Sequence, residues 1–159
     1  MKTILAPVDF SAVSNSVAKE AAALARSFDG RVVLLTVVQL PVFINEYTGV
    51  MDLTELTAAG ERNAARQLEA LGGKLNNEFV KTTTIQLTGN PVPIILEQAE
   101  AQDADYIVMG SHGHTAFYDL LVGSTTHGVL MRAKCPVVIV PATKGSLKPR
   151  NDRKRAATV

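Results

Sequence analysis

The stretch DYIVMGSHGHTAFYDLLVGST, residues 105–125, carries the strongest structural signal in this 159-residue chain. The apolar, β-branched run Asp105–Met109 predicts a strand, and it leads straight into a loop with glycines at Gly110 and Gly113. A short helix is predicted to follow, over Ser124–Ala133. Glycines spaced in this way let the backbone approach a ligand closely, so the stretch predicts a binding loop between a strand and a helix.

The rest of the chain alternates apolar runs with helical periodicity. The predicted strands are Thr3–Val8, Arg31–Val38, Thr82–Leu87, Asp105–Met109 and Pro136–Val140. Between them, apolar residues recur at every third or fourth position; one such stripe runs from Leu53 to Phe79, with a weak spot at Gly72-Gly73. The order βαβαβαβαβ implies an α/β fold, an open five-stranded parallel sheet with helices on both faces.

Open sheets of this kind bind ligands beyond the carboxyl ends of the strands, where the strand order reverses. If the chain winds outward from strand 1 and then returns, the reversal lies between strands 1 and 4, which end at Asp9 and Gly110. Asp9 either contacts a ligand there or caps the first helix together with Ser11, whose hydroxyl is a plausible N-cap.

The pair Gly123-Ser124 places free N–H groups and a hydroxyl at a helix N-terminus, which suits an anion. The same residues could equally serve as a structural cap. No Lys or Arg occurs between Gly110 and Gly128, and the chain has no Walker A motif. Phosphoryl transfer needs charged groups aimed at the transferring phosphate. The pattern therefore favours nucleotide binding over catalysis, and we assign no catalytic residue.

The length of 159 residues indicates a single domain, and the composition, 47% hydrophobic and 5% aromatic, indicates an aliphatic core. The net charge of +1 is uneven, since residues 144–159 carry +5 and the remainder about −4. We predict a nucleotide-binding domain at residues 1–143 and a disordered basic tail at 144–159. Weak contact of the tail with nucleic acid, anionic lipid or an acidic protein is an alternative. The tail has no aromatic residues to stack on bases, which disfavours nucleic acid as a partner. No apolar run reaches the length of a membrane span, so we expect a cytoplasmic protein.

Several motifs resemble the universal stress protein family, in the right order and spacing over residues 1–141. They are Ala6-Pro7-Val8-Asp9, the run Val108–Thr115, the spacing Gly110-x2-Gly113-x9-Gly123-Ser124, and Cys135–Val140. The resemblance implies a Rossmann-like fold with strand order 3-2-1-4-5 that binds ATP and is usually dimeric. The glycine spacing is similar to that of the family's ATP-binding branch.

The resemblance also implies roles for individual residues. Those beside adenine and ribose would be Pro7, Val8, Asp9, Val37, Met109 and Gly110. Those holding the phosphates would be Gly113, His114, Gly123, Ser124 and Thr125, with Mg²⁺ bridging the phosphate oxygens. Where family members often carry Ala-Glu-Arg, this chain has Thr126-His127-Gly128, so we expect a looser helix and no arginine there.

Other readings of the chain stay open. The protein could be a nucleotide hydrolase or transferase of the same fold, or an interaction module with a vestigial nucleotide site. The apolar loop Pro41–Asp52 could cover a nucleotide or form a partner surface. The last strand, Val137–Val140, presents an apolar edge that would suit a homodimer. We expect no protein-held metal site from the three histidines, and we expect a stress-response regulator in which ATP acts as a ligand.

Overall fold

The computed structural model of the protein describes residues 1–40, 53–111 and 122–142. Within them the strands are β1 (Thr3–Pro7), β2 (Arg31–Val38), β3 (Thr82–Thr88), β4 (Tyr106–Gly110) and β5 (Val137–Val140). The helices are α1 (Ser14–Ser27), α2 (Leu53–Asn77), α3 (Pro91–Ala101) and α4 (Ser124–Leu130). All strand pairs are parallel and the sheet order is β3-β2-β1-β4-β5. The predicted fold and strand order are confirmed.

Alternate side chains of the central strands enter two separate cores. Ile4 and Ala6 of β1 pack with α1 and α2 on one face of the sheet. Leu5, between them, packs with α3 and α4 on the other face. Ile4, Leu5 and Ala6 are all fully buried, which explains why the sequence of a central strand is a continuous apolar run.

The central pairing between β1 and β4 is short. β1 pairs with β2 along Thr3–Pro7, but it pairs with β4 only at Ile4 and Leu5. Just below this pairing, Asp105 joins the two strands, because its carboxylate accepts from Lys2 Nζ at 2.6 Å and from the Thr3 N–H at 2.8 Å.

Helix α2 follows the predicted stripe along most of its length and corrects the predicted end. It continues through Gly72-Gly73, where a Cβ on Gly72 would lie 2.8 Å from the Thr84 methyl carbon, so glycine permits close packing of α2 on β3. The helix ends at Asn77, and Phe79 lies beyond it with a φ of 60° and 96% exposure. The prediction that the apolar stripe includes Phe79 is therefore wrong.

None of the described helices is long and apolar enough to cross a membrane.

Candidate functional site

An open cleft lies at the carboxyl ends of β1, β2 and β4, beside the first turns of α1 and α3. The strand order reverses here, because the chain runs outward from β1 to β3 and returns to β4 on the other side. Its described lining comprises Pro7, Val8, Asp9, Val13, Ser14, Val17, Leu35, Val37, Gln39, Pro91, Ile95, Met109, Gly110, Thr125 and Thr126. A crevice at this position is where folds of this class bind ligands.

Backbone and side-chain hydrogen bonds fix the end of β1 against β2. The Val8 N–H donates to the Leu35 carbonyl at 2.8 Å, and the Thr36 hydroxyl donates to the Val8 carbonyl at 2.9 Å. Thr36 is 3% exposed, so its hydroxyl hydrogen bond is shielded from water. The backbone that delivers Asp9 to the cleft is thus held on both its N–H and its carbonyl sides.

The turn after β1 differs from the predicted cap. Helix α1 begins at Ser14 with Val13 as its N-cap and no side-chain capping bond, and the Ser11 hydroxyl is buried without a hydrogen-bond partner in the described part of the chain. Instead, Asp9 Oδ1 accepts from the Ser11 N–H at 3.0 Å and from the Ser14 hydroxyl at 3.2 Å. The prediction that Ser11 caps the helix is wrong, and the carboxylate of Asp9 organises this turn.

The two ends of the glycine loop are tied together at Ser111. The Gly123 N–H donates to the Ser111 carbonyl at 2.6 Å, while the Ser111 hydroxyl accepts from the Ala142 N–H at 3.2 Å. Next to them, the buried Thr126 hydroxyl donates to the Gly110 carbonyl at 2.8 Å. These bonds hold the start of α4 beside the end of β4, on the border of the cleft.

Helix α4 is short, and Gly128 has a packing role in it. A Cβ at this position would lie 2.9 Å from a Val92 methyl carbon, so the glycine lets α4 pack closely on α3. The helix ends at Leu130 instead of the predicted Ala133. Gly128, one of the residues from which the sequence predicts a looser helix, thus lies at a close contact between α3 and α4.

The cleft combines an apolar wall with a few polar groups. Leu35, Ile95 and Met109 are buried apolar residues from three different elements. In the lining that the structure describes, Asp9 is the one ionisable side chain, and no Lys or Arg is present. Such a lining suits a flat apolar group that carries hydroxyls, since a carboxylate accepts hydrogen bonds from hydroxyls and repels anions.

The structure places most of the predicted site residues together. Those in the lining are Pro7, Val8, Asp9, Val37, Met109, Gly110 and Thr125. Gly123 and Ser124 lie at the start of α4, next to the lining, whereas Gly113 and His114 fall outside the described residues. The loop Pro41–Asp52 and the tail 144–159 also lie outside them.

Sequence reasoning missed a second group of lining residues, contributed mainly by helices. They are Val13, Ser14, Val17, Leu35, Gln39, Pro91, Ile95 and Thr126. Pro91 and Ile95 lie in the first turns of α3, a helix that the sequence predicts but does not connect to the site. The predicted strand topology could have identified these helix residues, because a crevice at a strand reversal is bordered by the helices that start there.

The described residues offer little to a protein-held metal. No group of three His, Cys, Asp or Glu side chains that could bind an ion occurs among them. Cys135 is half-buried near the start of β5, and this burial raises the pKa of its thiol.

Comparisons with known proteins agree with this architecture. The model of the universal stress protein family matches residues 1–141. Universal stress protein MJ0531 of Methanocaldococcus jannaschii is 36% identical over 146 residues, covering 90% of this chain and 84% of the relative. The structure of universal stress protein UspA from Lactobacillus plantarum superposes with a TM-score of 0.77 at 26% identity, covering 87% of this chain and 97% of that one.

Two more distant structures of the same fold contain nucleotides. A universal stress protein in complex with cAMP has a TM-score of 0.57 and covers 88% of this chain and 96% of its own. The Archaeoglobus fulgidus universal stress protein in complex with dAMP has a TM-score of 0.60 and covers 87% and 97%. Each is 22% identical to this chain. On the family match and the sequence identity, this chain belongs to the universal stress protein family.

Proposed function

We propose that this protein binds an adenine nucleotide, ATP, in the cleft at the strand reversal and acts as a regulator in the stress response. The observation that carries the proposal is the composition of the cleft. In the lining that the structure describes, a buried apolar wall from β2, β4 and α3 adjoins one carboxylate, that of Asp9, at the end of β1. Adenine supplies a flat apolar face, and ribose supplies hydroxyl donors for the carboxylate. Two distant members of the fold hold adenine nucleotides, which supports the same ligand class here.

The phosphates would extend from the sugar toward the start of α4. Gly110, Gly123, Ser124 and Thr125 border that side, and the motif adds Gly113 and His114 to them. Backbone N–H groups would bind the phosphate oxygens, with Mg²⁺ bridging those oxygens and completing its shell with water. The negative charge of Asp9 keeps the phosphates away from the sugar end of the cleft.

A nucleotide assay on the purified protein tests the binding. Denatured protein should release adenine nucleotide, and ATP with Mg²⁺ should raise the thermal midpoint of the stripped protein. The variant Gly123→Val should lose both effects, because its extended backbone (φ −66°, ψ 159°) accepts valine while the side chain fills space beside the phosphates. Gly73→Ala, on open helix surface, is the matched control. Absence of both nucleotide release and thermal shift in the unmodified protein would refute the proposal.

Turnover separates a regulator from an enzyme. The described lining holds no cation that could stabilise a transferring phosphate, so we expect ATP hydrolysis well below about 1 s⁻¹, the low end of ordinary enzymes. Release of inorganic phosphate in the presence of Mg²⁺ measures the rate. Steady hydrolysis above that value would favour a nucleotide hydrolase or transferase instead.

We further propose a homodimer through β5. Within the described part of the chain this strand pairs with β4 alone, and its four apolar side chains, Val137–Val140, are half-buried. An exposed apolar edge strand pairs readily with its own copy across a two-fold axis. Light scattering should give a dimer for the parent and a monomer for Ile139→Lys. A monomeric parent at micromolar concentration would contradict the proposal.

A further inference from the structure

We propose that Ser14 is a positioning residue that orients the Asp9 carboxylate toward the ribose hydroxyls and so makes the site prefer ribonucleotides to deoxyribonucleotides. The inference rests on the proposed nucleotide binding and adds to it a specific role for a residue outside the glycine loop. Ser14 lies in the cleft lining, at the first residue of α1. It is 5% exposed, and its hydroxyl donates to Asp9 Oδ1 at 3.2 Å.

Asp9 needs such support because the residue itself is exposed. Two donors converge on one of its oxygens, the Ser11 N–H at 3.0 Å and the Ser14 hydroxyl at 3.2 Å. A carboxylate held by two donors on the same oxygen keeps one orientation, and an oriented acceptor binds a hydroxyl with less loss of side-chain entropy. Of these two donors, a side-chain substitution can remove the hydroxyl of Ser14 but not the N–H of Ser11.

The hydroxyl of Ser14 is not required to start the helix. The N-cap position is Val13, and no side-chain capping bond is formed there. The backbone N–H of Ser14 donates to the Ser11 carbonyl at 3.0 Å, a bond that alanine retains. The hydroxyl bond to Asp9 therefore belongs to the cleft, and its removal changes the carboxylate more than the helix.

The charge of the cleft assigns Asp9 to the sugar. A carboxylate repels phosphate and accepts from hydroxyls, and it is the one ionisable group in the described lining. In a complex with a deoxyribonucleotide, the ribose hydroxyl that donates to the Asp9 carboxylate would be missing. A site built to hydrogen-bond a hydroxyl discriminates against the analogue that lacks it, because the bound ligand covers the acceptor from water without giving it the hydroxyl donor.

Affinity measurements with ATP, 2′-deoxy-ATP and 3′-deoxy-ATP test the role of Ser14. The parent should prefer ATP to at least one deoxy analogue by about tenfold, the effect of one hydrogen bond to a charged group. Ser14→Ala should weaken ATP binding and reduce that preference, while binding of the disfavoured analogue changes little. Ser27→Ala removes a hydroxyl at the exposed far end of α1, where it donates to the Ala23 carbonyl, and should leave the preference intact.

A double-mutant cycle separates positioning from a general loss of stability. Asp9→Asn should also reduce the preference, and Ser14→Ala should add nothing further in that background. Thermal unfolding without ligand checks that each variant is folded. An unchanged preference in Ser14→Ala, or no preference in the parent, would overturn the inference and leave nucleotide binding intact. A parent that binds none of the three nucleotides would instead refute the proposed function and the inference with it.

Discussion

The two ends of the sheet are built in different ways. At the amino ends of the strands, α1, α2 and α3 each finish with one residue in the left-handed region: Asp29 (φ 46°), Phe79 (φ 60°) and Asp103 (φ 48°). In each case the N–H of the following residue bonds back to the last turn, from Gly30 to Ala25 at 2.7 Å, Val80 to Leu75 at 3.1 Å and Ala104 to Ala99 at 2.9 Å. One repeated motif thus ends all three helices by satisfying their terminal carbonyls.

The carboxyl ends follow no common pattern. The turn after β1 is organised by the carboxylate of Asp9, and the loop after β4 is tied at Ser111. The turn after β3 contains Gly89 at a φ of 146°, followed by Asn90 as the N-cap of α3. The repeated motif at the amino ends of the strands stabilises the fold, whereas the differently built turns at the carboxyl ends form the cleft. Substitutions at the amino end should therefore change stability, and those at the carboxyl end should also change the cleft.

The largest effect is expected from Gly30→Ala at the amino end. A Cβ there would collide with the backbone carbonyl of Lys2, which also accepts from the Arg31 N–H at 2.8 Å. The collision involves backbone, so relief requires β1 or β2 to shift, at a cost of about 3 kcal/mol. Urea unfolding measures the loss. Gly73→Ala, with open space around its Cβ, should instead gain about 1 kcal/mol. Equal effects of the two substitutions would contradict the steric argument.

Thr126→Val tests the carboxyl end with a smaller effect. The substitution keeps the shape of the buried side chain but removes its 2.8 Å bond to the Gly110 carbonyl, which should cost about 1–2 kcal/mol. The start of α4 should then be held less firmly to β4, so nucleotide affinity should fall together with the free energy of unfolding. Thr126→Ser keeps the donor and serves as the control. A loss of stability without a loss of nucleotide affinity would show that Thr126 has no role in nucleotide binding.

Phe79→Asn should stabilise the protein. Asparagine adopts the left-handed region more readily than phenylalanine, and the exposed aromatic ring gives up no buried contact. The expected gain is about 0.5–1 kcal/mol. The control, Phe28→Asn, should lose stability because the Phe28 ring stacks on Tyr106 with centroids 5.7 Å apart. A loss of stability in Phe79→Asn, measured by thermal unfolding, would show that the three helix ends are not equivalent.

The smallest effect is a pH dependence at Asp105. The hydrogen bond from Lys2, followed by that from the Thr3 N–H, holds the pKa of this carboxyl below its ordinary value. The stabilisation is fully present above the ordinary pKa of an aspartate and disappears as the pH falls through the lowered pKa. The thermal midpoint of the parent should exceed that of Asp105→Asn at neutral pH, and the difference should shrink in acid and in high salt. A difference independent of pH would assign the effect to packing.

Periodicity and turn residues predicted most of the fold. The strand Arg31–Val38 occurs as predicted, and Pro91 begins α3 after Asn90. Phe79 shows where periodicity fails, because apolar residues can continue at helical spacing past the end of a helix. Here Phe79 itself adopts the left-handed region just after the helix ends. Ser11 shows a second failure, since the acceptor in this turn is the carboxylate of Asp9 and not the Ser11 hydroxyl, and the position of Asp9 depends on the tertiary structure.

The cleft was predictable in position and only partly in composition. Residues at strand ends, such as Asp9 and Gly110, were accessible because topology alone brings them together. Gln39 and Ile95 were not, since their place in the lining depends on how far β2 extends and on the packing of α3 against the sheet. Side-chain positions of this kind follow from packing between distant segments, which a local pattern does not contain.

The short pairing between β1 and β4 has a consequence for the order of folding. Residues 3–88 contain three strands with long mutual ladders and can pair while the remainder of the chain is still being synthesised. β4 must then join β1 across about a hundred residues of chain, at Ile4 and Leu5 alone. The cleft lies above this junction and exists only once both parts have met. A bound nucleotide would span the junction, so hydrogen exchange in β4 should slow most when ligand is present.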